Sequence, residues 1–216
     1  MLEPILPNIL SVRRIPAADP DVLRMYGADP ERHVSLGLMT CDQDDPTYVA
    51  LDEATKHAQV DVVYARSFYA GAAHASGRLS GEILGVIAGP DPEEIERGLT
   101  ALTRCLEHDA CFYDADGHGT IAVFPHVITS LGYYLSHEAG LQPGDAMAYL
   151  VAPPIEAGLG LDAAMKAAAV TAAKLFPPPT ETNFAAAWLT GAQHECEAAA
   201  AAFAETVVEV GLRPKR

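Results

Sequence analysis

Four carboxylates in the first half of the sequence are the side chains best able to do chemistry. Asp42, Asp44 and Asp45 fall within a short stretch, and Glu82 follows a glycine farther along the chain. Clustered carboxylates can act as a general acid and base, or they can bind a hard metal ion. The D-x-D-D spacing, however, lacks the glycine and the distal glutamate of a calcium loop. A solvated acidic turn is the alternative without chemistry, so the cluster alone does not predict an enzyme.

The other residue types give no catalytic signature. The histidines form no HxxxH or HExxH pattern, and no serine stands in a GxSxG elbow. Gly71, Gly77 and Gly81 are irregularly spaced and precede no phosphate-cradling helix. The four cysteines are scattered without a CxxC pair, as expected for free, mostly buried thiols in a reducing compartment. We therefore predict a protein that is not an enzyme and has no metal site and no cofactor.

Charge and hydropathy argue against two further classes of protein. The net charge of −15, without clustered Lys and Arg, argues against a nucleic-acid surface, because phosphate contacts need basic side chains. The longest uncharged apolar runs, such as Ala198 to Ala204, are too short to span a bilayer. Glu3, Pro4 and Pro7 interrupt the first residues, which predicts no secretory signal. A cytoplasmic protein without membrane or nucleic-acid partners is expected.

A short stretch that occurs twice indicates the elements that must position the carboxylates. Leu51 to Val60 reads LDEATKHAQV and Leu161 to Val170 reads LDAAMKAAAV, at an offset of 110 positions in a chain of 216. Leu, Asp, Ala, Lys, Ala and Val recur at the same places, and both copies are predicted to be helices. The sequence thus predicts a tandem repeat of one fold, as two domains at residues 1–109 and 110–216.

The segments around the two copies also correspond. Each copy follows a predicted strand and a turn-rich segment, namely Leu36–Met39 with Asp42–Tyr48 and Met147–Val151 with Ala152–Gly158. Each precedes a strand and a helix, namely Ile83–Gly89 with Asp91–Glu107 and Ala185–Gly191 with Gln193–Val210. A further strand and helix open each half, namely Ile9–Arg14 with Asp19–Tyr26 and Thr120–Phe124 with Val127–Ala139. This order predicts the α/β or α+β class, with helices on a sheet.

The repeated helix carries the same charge pair in both copies. Asp52 and Lys56 are spaced i,i+4 on the first helix, and Asp162 and Lys166 keep this spacing on the second. Such a pair is usually a helix-surface ion pair worth a few tenths of a kcal/mol. A lysine on a face of small alanines would also suit close contact between flat molecules, because its stem can lie along a neighbour.

Two loops differ between the halves. Tyr69–Ser80 is small, glycine-bearing and long for a connection, which predicts a mobile loop. Its counterpart, Pro177–Asn183, begins with three prolines that fix an extended path. One mobile and one stiff loop would suit an aperture with a movable lid, and ordinary surface loops are the alternative.

Several long segments resemble a known family. They are SLGLMTCDQDDPTYVALDEATKHAQVDVVYARSFYAGAAH, the GPDPEE turn, AMAYLVAPPIEAGLGLDAAMKAAAV and PPPTETNFAAAWLTG. Together they resemble the tandem-domain shell proteins of ethanolamine-utilization bacterial microcompartments, and LDAAMKAAAV alone resembles the general microcompartment shell domain. The resemblance implies two circularly permuted α/β shell domains in one chain, each a small mixed sheet flanked by helices. It also implies that three chains form a homotrimer, a flat tile with six sides.

The resemblance further implies partners and residue roles. Such tiles pack with hexameric shell proteins around ethanolamine-degrading enzymes and catalyse nothing themselves. Lys56 and Lys166 match edge lysines that contact a neighbouring tile. The loop that opens or closes a central pore matches Tyr69, Ala70, Gly71, Ala72, Ala73, His74 and Gly77. Small pores that admit or sense ethanolamine match Asp44, Asp45, Glu82 and Phe112. Ethanolamine is a cation at neutral pH, so carboxylates at a narrow pore would concentrate it.

Two other hypotheses stay open on the sequence. In the first, the acidic residues bind ethanolamine in a soluble sensor protein that regulates an enzyme and forms no shell. In the second, the D-x-D-D cluster belongs to a metal-dependent hydrolase. A shell tile predicts a trimer and extended sheets of protein, whereas the other two hypotheses predict neither.

Overall fold

Two compact units make up the chain. The computed structural model describes residues 2–68, 77–180 and 182–215. One unit, here called the N-unit, comprises Pro7–Ala110 and Gly132–Leu135. The other, the C-unit, comprises Met1–Leu6, Cys111–Leu131 and Ser136–Arg216. Each unit therefore includes a short segment from the other half of the sequence.

Strands and helices alternate along both units. The elements, in chain order, are β1 (Glu3–Ile5), β2 (Ile9–Ile15), α1 (Pro20–Met25), β3 (Ser35–Cys41), α2 (Asp44–His57), β4 (Asp61–Ser67), β5 (Ile83–Gly89), α3 (Pro92–His108), β6 (Phe112–Asp114), β7 (Ala122–Ile128), α4 (Tyr133–Ala139), β8 (Ala146–Ala152), α5 (Pro154–Ala167), β9 (Thr171–Phe176), β10 (Ala185–Gly191) and α6 (Gln193–Leu212). No helix in the described part of the chain is long and apolar enough to cross a membrane.

The N-unit is an antiparallel sheet with helices on both faces. Its strand order is β2-β3-β5-β4. Successive side chains of a strand point to opposite faces, and Leu36 of β3 packs with Leu23 of α1 in one cluster. On the other face, Gly37 of β3 lies under α3. A Cβ added at Gly37 would lie 3.0 Å from side-chain atoms of both Ile95 and Leu99. The missing side chain thus lets α3 lie close to the sheet.

The C-unit is a larger antiparallel sheet with the order β1-β6-β7-β8-β10-β9. Alternate residues of β8 and β10, such as Leu150 and Leu189, form one buried cluster with Phe203 of α6. The residues between them, which point to the opposite face of the sheet, include the aromatic Tyr149 and Trp188. The rings of Phe124 and Tyr149 meet edge to face at 5.5 Å between centroids, and those of Tyr149 and Trp188 do so at 5.4 Å. The sheet therefore has a small aliphatic face under the helices and an aromatic face behind it.

The two units share one topology. The order β7-β8-β10-β9 in the C-unit repeats the order β2-β3-β5-β4 in the N-unit. The outermost strands share an irregularity as well, because the register of β4 shifts between Val62 and Tyr64, and that of β9 shifts opposite Trp188 and Leu189. The predicted α/β class is confirmed, and the common order supports the predicted duplication. The predicted strands Ile83–Gly89 and Ala185–Gly191 coincide with β5 and β10.

The repeated helices begin earlier than predicted. Asp42–Tyr48 and Ala152–Gly158 were predicted to be turn-rich, yet α2 begins at Asp44 and α5 at Pro154. Carboxylates suit the first turn because they interact favourably with the positive end of the helix dipole. Proline suits this place because its missing N–H would have no intrahelical partner. The prediction of an acidic turn is therefore wrong for Asp44 and Asp45, which lie on a helix.

Two further predictions need correction. The predicted helix Val127–Ala139 is partly wrong, because Val127 belongs to β7 and α4 begins only at Tyr133. Strands β1 and β6 were not predicted. Each has 3 residues, which is too short to show the alternating pattern by which strands are recognised.

We expect Gly160→Ala to destabilise the C-unit. A Cβ at Gly160 would lie 2.7 Å from Cδ2 of Phe203, where α5 meets α6. Overpacking of this kind costs about 1–3 kcal/mol of the free energy of unfolding. Gly158→Ala is the matched control on the same helix, since nothing lies within 4 Å of that position. Alanine should stabilise an exposed helix position by about 0.5–1 kcal/mol. Urea titrations followed by circular dichroism would test this, and equal effects of the two variants would contradict it.

Candidate functional site

The first turn of α2 presents two carboxylates. Asp44 and Asp45 are both buried. Asp44 Oδ2 accepts a hydrogen bond from the Ser67 hydroxyl at 2.7 Å, and its Oδ1 accepts one from the Asp45 backbone N–H at 2.9 Å. The N-terminal end of a helix carries partial positive charge, which offsets part of the cost of burying these groups. The structure thus fixes Asp44 between the start of α2 and the end of β4.

Glu82 lies near the same acidic group. Its backbone N–H donates to the Cys41 carbonyl oxygen at 2.7 Å. Gly81 makes this approach possible, because it has a φ of +64° and an added Cβ would clash with the Cys41 carbonyl. Burial raises the pKa of the Glu82 carboxyl, and the charges of Asp44 and Asp42 raise it further. The structure therefore brings Asp44 and Glu82 into one electrostatic cluster.

Asp42 completes this cluster from the end of β3. Its Oδ1 accepts a hydrogen bond from the Asn8 backbone N–H at 2.7 Å. We call Asp42, Asp44, Asp45 and Glu82 the acidic cluster. Carboxylates that repel one another favour either a proton or a cation as a neighbour. The cluster can therefore attract a small organic cation.

Phe112 belongs to the other unit. It lies in β6 of the C-unit and is buried there, with its ring centroid 5.1 Å from that of Phe124 and 5.9 Å from that of Phe184. The structure describes it as part of an aromatic cluster of the C-unit. Its predicted place beside the acidic cluster stays a prediction.

Only the last part of the predicted gating loop, from Gly77 to Ser80, lies within the described residues. Tyr69, Ala70, Gly71, Ala72, Ala73 and His74 lie outside the described residues. Gly77 forms a turn, in which its N–H donates to the Ser80 hydroxyl and its carbonyl accepts from the Ser80 N–H, both at 3.0 Å. At the base of the loop the Phe68 N–H donates to the Glu82 carbonyl at 2.8 Å. The two ends of this segment are thus joined at the acidic cluster.

The charge pairs on the repeated helices differ. Asp162 and Lys166 form the predicted pair at 2.6 Å on exposed side chains. Lys56, in contrast, pairs with Glu53. Asp52 is fully buried and accepts hydrogen bonds from the backbone N–H groups of Gly132 and Leu135. The prediction of a surface ion pair is therefore wrong for Asp52, because the carboxylate binds a segment distant in the sequence.

Sequence reasoning missed two residues that shape these sites. Ser67 supplies the hydroxyl that holds Asp44, and its only signal is its place at the end of a strand. Asp52 looks like a surface residue because it lies four positions before a lysine. Among residues 2–68, 77–180 and 182–215, no three His, Cys, Asp or Glu side chains are grouped as a metal ion would require.

The architecture identifies the class of protein. Residues 35–114 match the family model of the BMC domain. The fold is shared with a trimeric bacterial microcompartment shell protein, PduB, at a TM-score of 0.72 and 16% identity, over 92% of this chain and 87% of that chain. The tandem sheets with their paired helices thus define the fold of a bacterial microcompartment shell protein.

Closer relatives identify the family within this class. The chain is 50% identical to the shell protein EutL of Clostridium perfringens over 97% of this chain and 96% of the relative. The crystal structure of the ethanolamine utilization protein EutL from Leptotrichia buccalis has a TM-score of 0.95 and 46% identity, and it covers 100% of this chain and 99% of that chain. The chain belongs to the EutL family of bacterial microcompartment shell proteins.

Titration of Glu82 should weaken folding as the pH rises. Its pKa is raised above the ordinary 4.5, so the folded protein holds the proton more tightly than the unfolded chain does. This contribution is present below the ordinary pKa and is lost as the pH rises through the raised value. Glu82→Gln removes it. The variant should gain stability relative to the natural chain as the pH rises above the ordinary pKa of 4.5, as measured by urea midpoints. A difference that is constant with pH would refute the assignment.

Proposed function

We propose that the chain is one third of a flat trimeric tile in an ethanolamine-utilization microcompartment shell. Its two shell domains would be residues 1–109 and 110–216, in circularly permuted form. The shared topology of the N-unit and the C-unit supports six equivalent sides on such a tile. PduB, which has the same fold, is trimeric. The tile would pack beside hexameric shell proteins.

We further propose that the acidic cluster, with Phe112, lines small pores that admit or sense ethanolamine. The observation that carries this proposal is the grouping of the Asp42, Asp44 and Glu82 carboxylates: burial raises the pKa of Glu82, and the nearby charges of Asp44 and Asp42 raise it further. An alkylammonium ion would relieve the repulsion and could donate hydrogen bonds to the carboxylates. Binding must stay weak, because a tightly held substrate would block the pore.

The central pore would be gated by the loop that begins at Tyr69 and includes Gly77. The hydrogen bond from Phe68 to Glu82 supports a rigid base for this loop. The alternative function is a soluble ethanolamine sensor that forms no shell. The acidic cluster would serve either function, so assembly and not ligand binding must distinguish them.

Removing a charge from the acidic cluster should weaken ethanolamine binding. We expect Asp45→Asn and Glu82→Gln each to raise the dissociation constant about three- to tenfold, because each loses one attraction of up to about 1.4 kcal/mol to the ammonium group. Isothermal titration with ethanolamine would measure this. Glu205→Gln, an exposed carboxylate of α6, is the matched control and should bind as the natural chain does. Uncharged ethylene glycol should bind none of them, and equal binding by all variants would refute the site.

Lateral assembly should depend on the edge lysines. Both Lys56 and Lys166 are exposed, near the C-terminal ends of α2 and α5. The double variant Lys56→Ala/Lys166→Ala is expected to form fewer or smaller sheets in electron micrographs of concentrated protein. The trimer, measured by light scattering, should persist. Loss of the trimer would contradict the edge assignment, and a natural chain that forms neither trimer nor sheets would favour the soluble sensor.

A further inference from the structure

One hydrogen-bond donor on the aromatic face of the C-unit has no acceptor. Trp188 is only 6% exposed, and its Nε1 is buried without a hydrogen-bond partner among the described residues. A buried indole N–H usually has a partner, because an unpaired donor loses its hydration and gains nothing in return. The Trp188 indole is therefore a group that a ligand could satisfy.

A cation without a carboxylate lies over the same ring. Lys174 of β9 stands opposite Trp188 in the sheet. Its ammonium nitrogen lies 5.2 Å from the centroid of the Trp188 ring and 5.3 Å from that of Phe176, which are distances typical of cation–π contacts. None of the ion pairs in the described part of the chain includes Lys174. A chain of net charge −15 thus carries a positive group here that no described carboxylate neutralises.

Aromatic rings surround these two donors. The Trp188 ring lies between those of Tyr149 and Phe176, with centroid distances of 5.4 and 5.0 Å, and both contacts are edge to face. Tyr149 is buried, and Phe176 is half-buried. The surroundings are therefore apolar, and they suit an anion that has an apolar part better than a fully hydrated ion.

The equivalent place in the N-unit carries a different set of residues. The repeat matches Trp188 with Val86 of β5. It matches Lys174 with Tyr64, which lies opposite Val86 in β4. Tyr26, which follows α1, meets Tyr64 edge to face at 5.7 Å between centroids. In the N-unit this position of the outermost strand is thus covered by an aromatic ring.

The C-unit has a small residue where Tyr26 stands in the N-unit. Helices α1 and α4 are followed by Gly27 and Gly140, with φ of +83° and +68°. The N–H of each glycine donates to the carbonyl oxygen three residues earlier. Ala139, directly before Gly140, therefore corresponds to Tyr26. Alanine supplies no ring to cover Lys174, and that lysine is exposed.

We propose that Trp188 and Lys174 bind a short-chain carboxylate, such as acetate or propionate. The carboxylate would accept hydrogen bonds from the indole N–H and from the ammonium group, and its alkyl part would lie against the ring of Phe176. One carboxylate answers both needs, because it brings a negative charge and two acceptor oxygens. The flexible stem of Lys174 can move aside, which would open the way to the buried nitrogen.

The two donors and the apolar wall define the class of ligand. A phosphate has a further acceptor oxygen and a second charge, which this site would leave without partners. An ammonium ion such as ethanolamine would be repelled by Lys174. The inference therefore goes beyond the proposed function, and it depends neither on the tile nor on the acidic cluster.

Fluorescence of Trp188 can test the site, because this is the only tryptophan of the chain. We expect sodium propionate to change the emission saturably, and uncharged propionamide or sodium chloride at equal ionic strength to have no such effect. Lys174→Met keeps a long apolar stem and should raise the dissociation constant for propionate about tenfold, through loss of one charge-assisted hydrogen bond. Lys166→Met, an exposed lysine of α5, is the matched control and should bind as the natural chain does. Equal binding by Lys174→Met, or an equal response to phosphate, would overturn the proposal.

The indole N–H resonance tests the hydrogen bond itself. In a nitrogen–proton spectrum the single indole signal should move on addition of propionate and stay in place with propionamide. A signal that propionate does not move would mean that the N–H is paired with water or stays unpaired, and would refute the site.

Restoring the ring of the N-unit should close the site. We expect Ala139→Tyr to weaken propionate binding, because the new ring would stand over Lys174 as Tyr26 stands over Tyr64. Ala139→Ser, which adds no ring, is the matched control and should bind normally. Circular dichroism would check that both variants keep the fold. Unchanged binding by a folded Ala139→Tyr variant would contradict the proposed place of the ligand.

Discussion

The buried carboxylate of Asp52 binds the segment Gly132–Leu135. This segment comes from the second half of the sequence but belongs to the N-unit. Burial raises the pKa of the Asp52 carboxyl, and the N–H groups of Leu135 and Gly132 act against that shift. Two charge-assisted hydrogen bonds can compensate for the lost hydration of the Asp52 carboxylate only if the donating backbone comes very close to it. A glycine at position 132 permits this approach. The assignment of Gly132–Leu135 to the N-unit depends on this interaction.

The two units share one framework and differ in the side chains at its edges. The strand order and the shifted register of the outermost strands recur in both units. The positions that carry Asp44 and Asp45 at the start of α2 carry Pro154 and Ile155 at the start of α5. Phe184 stands directly before β10, as Glu82 stands directly before β5. One copy thus concentrates negative charge where the other is apolar, so only the first could attract a cation in the way proposed above.

Much of the fold could be predicted from local pattern. The strands Ile83–Gly89 and Ala185–Gly191 are continuous apolar runs that end in glycine, and their bounds match the structure. The starts of α2 and α5 could not be placed in this way, because Asp and Pro are typical of both turns and first helical turns. Asp52 was misread for a different reason. Its partners lie in another part of the sequence, and no periodicity reports a contact of that kind.

The candidate site was predictable only in part. The nearness of Asp42 and Asp44 follows from the sequence, whereas the approach of Glu82 follows from the left-handed turn at Gly81 and its contact with Cys41. The resemblance to shell proteins supplied this grouping before the structure did. The role of Ser67 could not be predicted from the sequence, because a serine at the end of a strand can have many roles. Only the short distance from its hydroxyl to Asp44 identifies it as a hydrogen-bond donor to that carboxylate.

The register shifts in β4 and β9 affect how copies of the chain meet when they are crowded. Both strands lie at the margin of a sheet, where unpaired backbone groups can recruit another strand. A bulge interrupts the regular row of donors and acceptors and increases the local twist. Fibrous growth by strand addition is thereby discouraged. If the proposed tiles pack side by side, their layer can then stay an ordered two-dimensional array and avoid growth by strand addition.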